Sequence, residues 1–348
     1  MASQMRLFAA AVLFCGGLVS QDFRAKLTVT VRDASAAAVP GAALELRNVA
    51  TGEVFPAVTN DTGIYSYLFL QPGTYVLKTT ASGFKPAQRD NITLQTYQAS
   101  GVEVALEVGG VTENVTVTSE AALLDTESAS RGQVVTSQLV RDLPVVNKNP
   151  LMLGQYMAGV SMRPLGIYTH PWTLTSQFNI NGGLTGLNEF QVDGAPNNAQ
   201  FGTNVYGYTP PNETVAEFSI QANSYDAQYG RTSGGVVNVT TKSGTNDFHA
   251  DFWTYLQRPG WNANSFQGNA IGAPRTKQRQ TQWGLQVAGP LSQLKLFPKR
   301  DNIKVFYLFS WDKYKTELPN ALNLSYPEAE MRNGDFSNHQ PAAQTLAA

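Results

Sequence analysis

The sequence holds one cysteine, Cys15, and three histidines, His170, His249 and His339, in 348 residues. A single cysteine excludes an internal disulfide. The histidines lie in separate segments, and no spacing resembles a zinc site. Charge of one sign is lacking too: 25 Lys and Arg stand against 26 Asp and Glu, with no like-charged block. That excludes the electrostatic footprint of a nucleic-acid partner. No mature segment approaches the ~20 apolar residues of a spanning helix, so any membrane insertion requires a β-barrel. No Ser-His-Asp set, paired carboxylates or phosphate loop appears at usable spacing, so no catalysis, metal or cofactor is expected. What is plentiful is Gly (30), Phe (17) and Tyr (14), with recurrent Val and Thr. These are residues of strands and tight turns, and the chain reads as mainly β.

The N-terminus reads as a targeting signal over residues 1–22. Arg6 precedes a short apolar core, 7–19, too short for a mature spanning helix. The competing reading is a buried N-terminal helix. Cys15 is not expected to be lipidated, because the preceding Phe14 is bulky.

Residues 26–108 read as a small β-sandwich. Leu27, Val29 and Val31 alternate with Thr28 and Thr30, as in a half-buried strand. Further short strands follow at roughly ten-residue spacing, divided by turns such as Val39-Pro40-Gly41, Asn60-Asp61-Thr62-Gly63 and Gln71-Pro72-Gly73. Asp61-Thr62-Gly63 matches the short signature of aspartic proteases. That chemistry needs two carboxylates sharing a proton, and the single copy sits at a hairpin. The stretches Val39-Pro40-Gly41-Ala42, Leu70-Gln71-Pro72-Gly73-Thr74-Tyr75 and Gly83-Phe84 resemble the carboxypeptidase-regulatory-like domain. The resemblance implies a transthyretin-like, carbohydrate-binding-like sandwich fold, without peptidase activity.

Gly109-Gly110 leads into a linker, 109–120. Its alternating segment Glu113, Asn114, Val115, Thr116, Val117, Thr118 would suit a strand lent to a partner. The pattern resembles the TonB box of TonB-dependent outer-membrane receptors. That implies pairing with a TonB-like energy-transducing protein in the periplasm. The bland readings are a last strand of the sandwich or a plain linker.

Residues 121–247 read as an α+β plug domain. The sequence predicts a short helix over 133–141, a second over 150–157, a strand–turn–strand unit over 178–194, and a strand over 215–220. Asn181-Gly182, Val192-Asp193-Gly194, Tyr229-Gly230-Arg231 and Gly234-Gly235-Val236-Val237-Asn238-Val239 resemble, in order, the plug of TonB-dependent receptors. With the regulatory-like domain and Lys242-Ser243-Gly244-Thr245-Asn246, the resemblance is to the Oar-like group. Asp193 reads as a turn residue rather than a metal ligand. Arg231 reads as an ion-pair partner of a barrel wall, with substrate contact as the alternative. The glycines read first as turn geometry.

From residue 248 onward the pattern becomes that of barrel strands. Trp283, Leu285 and Val287 alternate with Gln282, Gly284 and Gln286, apolar out and polar in. Val305, Tyr307, Phe309 and Trp311 give another aromatic face, suited to outer-membrane lipid. About 100 residues supply roughly four to six strands, whereas the smallest barrels need about eight and a plugged one on the order of 22. The expectation is therefore an incomplete transmembrane barrel, missing several hundred residues. The implied function is gating the energy-coupled uptake of a bulky nutrient: a glycan, peptide or metal chelate. The alternative is an exported carbohydrate-binding or adhesive sandwich protein.

Overall fold

In the computed structural model the described residues are 22–109, 115–117, 131–143, 148–162, 178–184, 186–198, 206–223, 228–230, 232–264, 266–275, 277–294, 304–317 and 329–335. The proposed leader lies outside them.

Two sheets form the N-terminal sandwich. β1 (Ala25–Asp33) is central to a three-stranded sheet, flanked by β4 (Ile64–Leu70) and β7 (Ala99–Leu106). It runs antiparallel to β4 and parallel to β7. The facing sheet follows the order β3 (Val54–Val58), β2 (Ala43–Asn48), β5 (Gly73–Thr80), β6 (Ala87–Leu94), β8 (Val115–Val117). Period-2 alternation sends Leu27, Val29 and Val31 inward against Leu44, Leu46, Leu77 and Leu94. Asn60 makes the turn before β4. Its Oδ1 accepts from Thr62 N, Thr62 Oγ1 and Ile64 N at 2.7–3.0 Å. The Asp61-Thr62-Gly63 motif is therefore a turn capped by its neighbour, with Gly63 at φ +71°.

A second core is built on a five-stranded sheet. Its order is β13 (Ala195–Pro196), β12 (Glu189–Val192), β15 (Val236–Thr241), β14 (Val215–Asn223), β9 (Arg131–Thr136). One face carries Phe190, Phe218, Ile220, Val237 and Val239. It packs on Val140 of helix α1 (Ser137–Asp142) and on Leu151 and Leu153 of a 3₁₀ turn, Pro150–Tyr156.

Two expectations are corrected here. The predicted helix over 133–141 is half strand: Val134 and Val135 pair with Ser219 and Phe218 of β14, and helix begins only at Ser137. β-branched residues beside an available sheet edge favour pairing over a local helix. The expected strand–turn–strand unit is also divided. β11 (Phe178–Ile180) pairs with β10 (Val160–Met162) in a separate two-stranded sheet. β12 instead lies parallel to β15 and makes its hairpin with β13.

The third sheet has the order β16 (His249–Gln257), β17 (Arg279–Pro290), β18 (Phe306–Glu317). Along β17, Gln280, Gln282 and Gln286 are buried while Trp283, Leu285 and Val287 are half-exposed. Trp283 packs edge-on to Trp311 of β18, with ring centroids 4.5 Å apart. Among the described residues these three strands do not close a barrel. Between β16 and β17 lies a short helix, α2 (Phe266–Ala270). Near the C-terminus α3 (Ala329–Arg332) is a single turn.

Candidate functional site

The sheet of the second core is two-faced because its strands alternate. Opposite the apolar face lie Glu189 and Gln191 of β12, Glu217, Ser219 and Gln221 of β14, and Asn238 and Thr240 of β15, all buried. Buried polar groups of this number need partners. Several come from the sandwich turn between β6 and β7. Thr96 donates to Glu217 Oε2 from both its N–H, at 2.7 Å, and its hydroxyl, at 2.5 Å. Thr96 Oγ1 also lies 3.1 Å from Thr240 Oγ1. Tyr97 donates its hydroxyl to Gln191 Oε1 at 2.9 Å and meets Tyr229 edge-on at 5.9 Å. Burial pushes the Glu217 carboxyl above the usual range, against the pull of the two Thr96 hydrogen bonds. Burial likewise raises the Tyr97 phenol, with Tyr229 adding to it. Beside this contact is a cavity of about 750 Å³, lined by Thr96, Tyr97, Gln133, Asn181, Gln221 and Asn223 among others.

The sequence-singled residues fall into four places. Asp193 sits at φ +50° in the β12–β13 turn. Its two carboxylate oxygens accept from Thr241 N and Thr241 Oγ1, each at 2.7 Å. It is thus a clamp on the end of β15, and Gly194 completes the turn at φ +73° with its N–H on Asn238 Oδ1. Asn181, at φ +50°, and Gly182 turn the chain after β11, where Asn181 Nδ2 donates to Ala222 O at 2.6 Å. Tyr229 is buried beside Tyr97, with the exposed Gly230 following. Gly234 and Gly235 enter β15. A Cβ on Gly235 would stand 2.7 Å from both Gln221 O and Ile180 Cδ1, so the close approach requires glycine. Arg231 lies outside the described residues.

Of the linker segment, Val115, Thr116 and Val117 form β8, parallel to Ala87–Arg89 of β6. Glu113, Asn114 and Thr118 lie outside the described residues. The polar face around Glu217 went unread in the sequence. Its signal was present in the every-second-residue polarity of Glu217, Ser219 and Gln221, and of Asn238 and Thr240.

β15 leads into β16 through 242–247. Asn246 N donates to Ala50 O at 3.1 Å, and Lys304 Nζ reaches Thr51 O and Gly52 O at 3.2 and 3.3 Å. On β16, Tyr255 donates to Glu213 and lies under Lys148, 5.2 Å from its Nζ. Among the described residues, no group of three or more His, Cys, Asp or Glu gathers as a metal site.

Residues 26–107 match the carboxypeptidase regulatory-like domain, and residues 240–347 match an outer membrane β-barrel domain. The TonB-dependent transporter Oar of Myxococcus xanthus is 27% identical over 252 residues, 69% of this chain and 23% of the relative. The chain thus spans about a quarter of that protein's length. Among solved structures, the siderophore receptor PirA from Acinetobacter baumannii is 22% identical, covering 53% of this chain and 24% of its own, at TM-score 0.35. A ferric enterobactin receptor mutant from Pseudomonas aeruginosa is 20% identical, covering 55% and 26%, at TM-score 0.36. Catechol 1,2 dioxygenase of Acinetobacter radioresistens gives only a partial likeness, 11% identical over 28% of this chain, at TM-score 0.21. The two family matches and the curated relative support a TonB-dependent receptor of the outer membrane, built from a regulatory-like sandwich and the strands of an incomplete barrel.

Proposed function

We propose that the chain is the N-terminal part of a receptor that gates energy-coupled uptake of a bulky nutrient across the outer membrane. The observation that carries this reading is the continuity of one strand path. β15 leaves the core of the plug sheet, passes through 242–247, and becomes β16 of the barrel sheet. A domain so attached to a wall is in a position to obstruct the lumen. The segment 113–118 supplies the strand that a TonB-like periplasmic protein pairs with. The nutrient is of the glycan, peptide or metal-chelate class, and no group acts on it catalytically.

Uptake-dependent growth tests the reading. The complete receptor is expressed in a strain lacking its own copy and offered each nutrient class as the limiting source. Deletion of 113–118 is expected to abolish growth on one class while leaving the outer-membrane level of the protein unchanged. Equal growth with and without the segment overturns it.

A further inference from the structure

β8 is the outermost strand of its sheet, in the order β3-β2-β5-β6-β8. It lies parallel to β6, with Val115 opposite Ala87, Thr116 opposite Gln88 and Val117 opposite Arg89. A strand has two hydrogen-bonding edges. β6 takes one edge of β8. Among the described residues no strand takes the other. These three residues are the middle of the segment assigned above to partner recognition.

We propose that the energy-transducing partner adds its strand to the outer edge of β8 while β8 stays on β6. The five-stranded sheet becomes six-stranded, and the sandwich serves as the platform that presents the segment. This rests on the proposed function and deepens it by giving the sandwich a task. A free linker loses backbone conformational freedom when it is drawn into a sheet, and that loss weakens the complex. A segment already held extended on β6 has lost that freedom before the partner arrives. An unpaired edge is also a ready template for a further strand. The competing geometry has β8 leave β6 to pair elsewhere, which would make the sandwich an inhibitor of recruitment. The two differ in one respect: whether β8 must detach.

A lock on β8 distinguishes them. Neighbouring strands run about 4.8 Å apart, within the span a disulfide bridges. Ala87→Cys with Val115→Cys, on a Cys15→Ser background, joins β8 to β6 in the full chain. The probe is the purified periplasmic C-terminal domain of the host's TonB protein, titrated against the oxidised and the reduced forms. The reduced form is the control for folding, since it has the same sequence. The expected result is that the oxidised form binds as tightly as the reduced form or tighter. Binding by the reduced form with about tenfold weaker binding by the oxidised form overturns the inference and leaves the proposed function standing. Binding by neither form overturns both.

Discussion

Glu217 shows how one side chain ties two domains together at a cost to its own charge. Its carboxylate is buried, and the folded state raises its pKa above the ordinary value of 4.5. A raised folded-state pKa means that the folded chain holds this proton more tightly than the unfolded chain does. The contribution to stability is therefore fully present below about 4.5 and is lost as pH rises through the folded-state value. Glu217→Gln keeps an oxygen for the two Thr96 donors and removes the titration. Its thermal midpoint, followed from about pH 4 to pH 8, is expected to fall less with rising pH than that of the parent chain. Glu217→Ala leaves the buried Thr96 donors without their acceptor and is expected to cost about 1–3 kcal/mol in denaturant unfolding. Asp193 gives a parallel case with a different cause. Glycine accepts its φ of +50°, so Asp193→Gly keeps the turn and removes only the clamp on Thr241. A loss of about 1–3 kcal/mol is expected. An unchanged unfolding midpoint would show that the clamp contributes nothing.

At the scale of elements, strands whose burial alternates locally were legible, and those placed by distant partners were not. β1, β2 and β17 announce themselves through period-2 patterns that need no knowledge of a neighbour. β9 does not. Its Val134-Val135 precede Gln138, Leu139 and Arg141, good helix formers, and only β14, more than eighty residues later, makes strand the better state. Similarly, Phe178–Ile180 and Glu189–Val192 looked like one unit because they are close in sequence. The pairing of β12 with β15 separates them. The polar face around Glu217 was hidden for another reason: its partners Thr96 and Tyr97 belong to the sandwich. Asp193 and Gly194 take positive φ in the β12–β13 turn, a local requirement that needs no distant partner. For β17, the alternation carries a prediction of its own. Leu285 shares the apolar face of Trp283 and Val287, away from the buried glutamines. On a lipid-facing strand Leu285→Arg is expected to cost about 2–4 kcal/mol near the bilayer midplane, whereas Leu285→Ile keeps the face apolar. The amount of complete receptor recovered from outer membranes should fall for the first and hold for the second.

On the scale of the whole molecule, the contact between Thr96 and Glu217 spans 121 residues of chain and joins the regulatory-like sandwich to the sheet of the second core. The apolar core beneath that sheet owes nothing to the sandwich. Its members come from β9, β11, β12, β14 and β15, from α1 and the 3₁₀ turn after it, and from Met157 and Tyr206. Removing residues 26–107 is therefore expected to leave the second core folded while opening the polar face to water. In water Glu217 is no longer desolvated, and the cause of its raised pKa is gone. The shortened chain should then have lost the Glu217 part of its pH dependence, and adding Glu217→Gln to it should change the remaining slope no further. In the parent chain the same substitution should flatten the slope. This non-additivity is the signature of two changes acting through one contact. If Glu217→Gln flattens the slope equally in both chains, the second core itself buries the carboxylate and the sandwich only borders it. Circular dichroism melts of the four proteins across the same pH range decide between these outcomes.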